Sequence, residues 1–307
     1  MTAPEKDVTR PSASVRFWLS VVIGAAAALV GLVPWLVTGA RLPLQNLAED
    51  GASGDAPVVL LPFSQYSVSS IFAVLVFGAV VAGVAARAVR PRSTRGGAWG
   101  VLTGVAVVHV VAIVQTTAVV AGGLQDRVES EWYLAGLTGG AVFSALLGWG
   151  CLLLVAVAPR AGALLGLAVG AIAAGMWAGA FLRLVPVTAT VPEGLLTAVS
   201  FVTPVLAGIA IAWTGLATVG RIVAAVIAVV LVWVAPALAT GIFNALATRA
   251  LARDPRGMLE YGLGVFQMAL FDPALALRPI IATVVVAALG TAVVLLRRRH
   301  RTSPETA

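Results

Sequence analysis

Eight apolar runs, each about twenty residues long and almost free of charge, leave this chain few ways to fold. A bilayer core of ~30 Å is crossed by about 20 apolar residues in a helix, whose backbone polar groups are all satisfied internally. The runs fall at 17–37, 68–89, 98–120, 134–157, 161–182, 199–218, 222–246 and 279–296. The last can start earlier, at Pro273, because Asp272-Pro273 is a good N-cap and first-turn pair. The expected fold is an all-α integral membrane protein with about eight transmembrane helices. Residues 1–16 and 297–307 form its tails.

Composition agrees. Charged residues make up 11% of the chain against roughly 25% in soluble domains, and the mean hydropathy is +1.01. The net charge of +7 does not indicate nucleic-acid binding, because the basic residues sit at span ends and form no stripe on a soluble module. Cys151 is the single cysteine, so neither an internal disulfide nor a cysteine-held metal cluster can form. Lys6 is the one lysine among twenty basic residues, a bias expected of a GC-rich bacterial genome. The first apolar run exceeds the 7–15 residues of a signal-peptide core and reads as an uncleaved anchor.

Basic residues set the expected orientation. With the N-terminus inside, inner segments hold thirteen of them and outer segments seven, which places both termini in the cytoplasm of a bacterial plasma membrane. Two outer connections, 38–67 and 247–278, are longer than a link requires. The first has a flexible middle, and its apolar flanks suit the membrane interface. In the second, Asp254-Pro255 can start a helix in which Arg256 and Glu260 pair. Arg253, Arg256, Glu260, Gly264 and Gln267 make a narrow polar stripe, as in an amphipathic helix at the outer interface or over the bundle mouth. Asp126, Glu129 and Glu131 read as a solvated connecting loop. Trp18, Trp99, Trp149 and Trp213 suit an inner aromatic belt, and Trp35, Trp132, Tyr133, Phe181 and Tyr261 an outer one.

Small residues recur every four positions as Gly136, Gly140, Ser144, Gly148 and as Gly162, Gly166, Gly170, Ala174. Such spacing lets helix backbones approach, so helices four and five are expected as a tight hairpin at the bundle centre.

His109 is the one ionisable side chain deep within a span, which makes it a candidate ligand or pathway residue together with Gln115, Thr116, Ser144 and Arg183. A His109–Ser144 pair would lock packing or form a catalytic dyad, although Phe143-Ser144-Ala145 lacks a glycine-flanked serine. Arg183 reads as a snorkelling arginine or as half of a gate pair with Glu193. No nucleotide, metal or cofactor motif is present. Three readings follow: a subunit of an envelope or transport assembly that meets protein partners through its outer loops, a small permease or lipid-handling transporter, and, least favoured, a membrane enzyme.

Overall fold

The computed structural model describes residues 13–43, 56–90, 96–185, 188–248, 251 and 254–302. The first twelve residues of the N-terminal tail, the middle of the first long connection, Arg253 and the last five residues lie outside them. The described chain forms nine α-helices: α1 (Ala13–Val37), α2 (Val68–Val89), α3 (Gly97–Ala121), α4 (Val128–Val157), α5 (Arg160–Ala180), α6 (Glu193–Thr214), α7 (Val219–Ala247), α8 (Pro255–Phe271) and α9 (Pro273–Thr302). All but α8 are long and apolar enough to cross a membrane. Connections after α1, α3, α5 and α7 mark a long-loop end, and those after α2, α4 and α6 an arginine end.

Two helices start earlier than hydropathy alone suggests. α4 begins at Val128 and α6 at Glu193, because Glu129, Glu131 and Glu193 occupy first turns, where the helix dipole favours carboxylates. Glu129 and Glu131 are therefore helical, not part of a solvated loop. α6 stops at Thr214, where Gly215 takes φ 68°, a positive-φ conformation that glycine adopts without a Cβ clash. Asp254 accepts from the Gly257 N–H with Pro255 in the first turn, and Arg256 Nε lies 3.1 Å from Glu260. Asp272, in extended conformation, separates α8 from α9.

The helix at the centre is α2, which packs on α1, α3, α4 and α5; α4 and α5 do pack on each other, but as a hairpin beside α2 and not at the bundle centre. Its most apolar window is 61% buried, against 6% for α9. The closest helix approaches are glycine-mediated and lie mainly in α1–α3. A methyl group on Gly24 or Gly104 would strike the α3 or α1 backbone respectively, and one on Gly31 would strike that of α2. A methyl on Gly83 of α2 would sit 2.8 Å from Leu152 O of α4. Where lipid is as apolar as leucine, this close fit supplies the attraction between helices.

The returning flank of the first long connection packs against the helices. It folds into the bundle, with Val59, Leu61 and Phe63 fully buried. Arg41 and Val58 form an isolated antiparallel bridge, and Trp35 Nε1 donates to Val59 O at 2.8 Å. The segment thus plugs the long-loop end of α1–α4.

Candidate ligand cavity

α7 and α8 run antiparallel along each other. Trp233 Nε1 donates to Leu270 O at 2.9 Å, and a methyl on Gly241 would meet Gly262 O at 2.8 Å. Ala245 approaches Gly262 from the next turn. Glycine at both positions lets the two backbones nearly touch, so the half of α7 beyond Pro236 carries α8 on one side. Its other side faces α4 across open space.

That space is a cavity of about 1190 Å³ in the long-loop half of the bundle. One wall is a single face of α4, where Gly136, Gly140, Phe143 and Ser144 recur at helical spacing. The opposite wall is the α7 face of Ala235, Leu238, Ala239 and Ile242. Phe72 of α2 with Ile172 and Met176 of α5 close the back. Polar groups gather near the long-loop end, where Gln65, Arg127, Glu129 and Thr248 border the cavity. Trp132 and Phe143 are 75% and 64% exposed, so the α4 wall continues onto the outer surface of the bundle.

The residues expected to form one polar pathway do not come together. His109 is fully buried, and its Nδ1 accepts from Trp149 Nε1 at 3.2 Å. That bond leaves the proton of a neutral imidazole on Nε2, which has no partner. Gln115 accepts from Leu60 N at 3.0 Å and donates to Val58 O at 2.9 Å, while Thr116 accepts from Leu61 N at 3.0 Å. Both clamp the buried plug. Ser144 does border the cavity, yet its hydroxyl donates to Gly140 O at 2.8 Å on its own helix. The side-chain bonds of His109 and Ser144 therefore point away from a dyad. Arg183 donates to Ser70 at 2.8 Å and Ser67 at 3.5 Å, so its bonds go to hydroxyls at the start of α2 and not to Glu193.

The small-residue series divides in the same way. Gly148 packs on Ala79 and Val76 of α2, Gly166 on Cys151 and Val155 of α4, and Gly170 on Val80 of α2. Gly162 meets Ala158 and Leu154 near the α4–α5 turn. Gly136 and Gly140 have no atom within 4 Å of where a Cβ would stand. They create room instead of contact.

Sequence reasoning missed the α7 wall, since Ala235 and Ala239 look like any alanines in a span. It also placed Trp35 and Trp149 in belts, whereas their indoles bond inside the bundle. Trp177 likewise donates to Gly31 O at 2.9 Å, joining α5 to α1. An indole buried far from a headgroup needs an acceptor, and here a carbonyl or imidazole of another helix provides it. Trp18 and Trp99 are exposed on the bundle surface, and Trp132 borders the cavity.

Among the described residues no three His, Cys, Asp or Glu side chains are grouped as a metal ion would need. No protein family, curated protein or solved structure matches the chain. Fold and composition define the class: this is a multi-pass helical membrane protein.

Proposed function

We propose that this chain is a lipid-handling protein of the bacterial plasma membrane, taking the apolar part of an amphipathic molecule sideways from the outer leaflet. Both termini then lie in the cytoplasm, with the long-loop end outside and α8 within the outer leaflet. The cavity carries this reading. Its ~1190 Å³ exceeds the ~300–1,000 Å³ of ordinary small-molecule pockets. Its walls are apolar, and its polar groups gather where a headgroup would meet water. An acyl or isoprenoid tail suits such a shape, whereas a polar solute would forfeit its hydration along most of the walls.

A polar permeation path is less well supported, because Gln115 and Thr116 are committed to backbone groups and His109 is enclosed. The assembly-subunit reading also loses support. Part of the first long connection, expected to greet a partner, is buried as a plug.

The test is lipid retention. Protein purified in mild detergent is expected to carry a tightly held lipid, detected by native mass spectrometry. Gly140→Leu, whose Cβ would stand in open cavity space, is expected to lower that occupancy at least about ten-fold. Equal retention by wild type and Gly140→Leu, or no lipid on either, would remove the cavity as a lipid site.

A further inference from the structure

The two halves of α7 are held in different ways. Before Pro236 the helix locks into the bundle. Ala224, Ala225 and Ala228 pack with Leu164 of α5 and Ile211 of α6, and Val232 packs with Ala171 and Ala207. Beyond Pro236 this anchorage thins. Among the described residues the outer half of α7 buries Ala237 and Gly241, and α8 buries Gly262 alone. Gly241 and Gly262 lie against each other, so most of this burial joins α7 to α8 and not to the body. At the long-loop end α7 touches the Gln65–Ser67 turn, whose Gln65 borders the cavity.

Both chain connections of the outer α7–α8 pair are weak points, and they lie side by side. Pro236 has no N–H, so Val232 O loses its helical partner there. The turns that follow are loosened as well. Thr240 donates its hydroxyl to Pro236 O at 2.9 Å, and Asn244 Nδ2 donates to Thr240 O at 2.9 Å. Side chains that bond back to a carbonyl one turn earlier bend a helix. Pro34 of α1 and Pro204 of α6 also stand inside helices, but both are buried among neighbours, whereas Pro236 is exposed. The second connection is Asp272, a single extended residue between α8 and α9. Trp233 Nε1 reaches from one turn before Pro236 to Leu270 O, just ahead of Asp272. One indole bond thus pins the two connections together, and a line through them is a hinge axis.

We propose that α7 beyond Pro236 and α8 swing as one rigid lid about this line, opening and closing the cavity between α4 and α7. The lid's inner face, with Leu238, Ile242 and Phe243 of α7 and Met258 of α8, covers a bound chain when closed and clears it when open. Within a bilayer the movement exchanges apolar wall for lipid tails of the same polarity, so opening carries no hydrophobic penalty. That the lid serves a lipid rests on the function proposed above. The motion itself rests on the hinge and is tested without any ligand.

Double electron–electron resonance on the full chain in lipid nanodiscs reads the motion, with the buried native thiol removed as Cys151→Ala. One nitroxide stands at Val114→Cys, exposed on α3. Its partner stands at Ala247→Cys at the end of α7, at Leu259→Cys on α8, or, as a fixed reference, at Val226→Cys before the hinge. The Ala247 and Leu259 pairs are expected to give distance distributions at least about twice as wide as the Val226 pair. Pro236→Ala restores a donor to Val232 O and is expected to narrow both to the reference width. Widths equal to the reference in the parent chain, no narrowing in Pro236→Ala, or broadening of the Leu259 pair alone would overturn the lid. A second readout joins the lid to the cavity. Exchange of bound lipid for deuterated lipid, followed by native mass spectrometry, is expected to slow at least about five-fold in Pro236→Ala. Exchange at the wild-type rate would overturn the lid as the gate. A wild type that holds no lipid but shows the hinged distances would end the lipid reading and leave the lid standing.

Discussion

Glycine does opposite work in the two halves of this bundle. Between α1 and α3, Gly24 and Gly104 are places where one backbone lies directly against another, and no side chain could stand there. On the long-loop half of α4, Gly136 and Gly140 face the cavity, with nothing within 4 Å. The same residue type at the same helical spacing therefore closes one interface and holds another open. What distinguishes them is the facing helix. α3 lies flush on α1, whereas the long-loop half of α7 packs on α8 and leaves the cavity between itself and α4.

The largest expected effect tests this contrast directly. Gly104→Leu forces a four-carbon side chain into the α1 backbone, an overpacking that costs at least about 3 kcal/mol and so threatens folding outright. At Gly140 a Cβ has nothing within 4 Å, and Gly140→Leu gains helix propensity of about 0.5–1 kcal/mol, so its thermal midpoint should match or exceed that of wild type. Thermal unfolding in detergent decides between them. A stable Gly104→Leu or an unfolded Gly140→Leu would abolish the distinction between packing glycines and cavity glycines.

The plug in the α1–α4 half offers the next test. Thr116→Val keeps shape but leaves the buried Leu61 N–H without an acceptor, at a cost of about 1–3 kcal/mol. Gln115→Leu removes two bonds to the same segment and is expected to cost a similar amount. Hydrogen exchange should rise across 57–63 in both variants and stay unchanged in α7 and α8. Faster exchange in α7 and α8 would mean that the plug and the cavity wall unfold together.

Where the sequence was legible, the reason is physical. Hydropathy locates spans because lipid penalises charge at every position alike, so eight spans emerge without any knowledge of neighbours. It clips polar first turns, as at Glu129 and Glu193. The spacing of Gly136 and Gly140 marks a smooth helix face but not what lies opposite, and that depends on α7, about a hundred residues later. Gln115 and Thr116 stand out as polar groups within a span, one half-buried and one buried. Their partners are backbone atoms of a connection with no periodic signal, so their role as a clamp is invisible without the fold.

The smallest expected effect concerns His109, the residue that hydropathy makes most conspicuous. Two N–H donors, Trp149 Nε1 and His109 Nε2, share a buried region in which Nδ1 is the one acceptor they offer each other. His109→Phe moves the unsatisfied donor from imidazole to indole and loses one hydrogen bond, a cost of about 0.5–1.5 kcal/mol. The double variant His109→Phe with Trp149→Phe leaves no unsatisfied donor in the pair. Its stability should therefore equal or exceed that of wild type, with lipid retention unchanged, because neither side chain borders the cavity. If the double variant folds normally but loses its lipid, the α1–α4 half takes part in ligand handling, and the division between a sealed half and an open half fails.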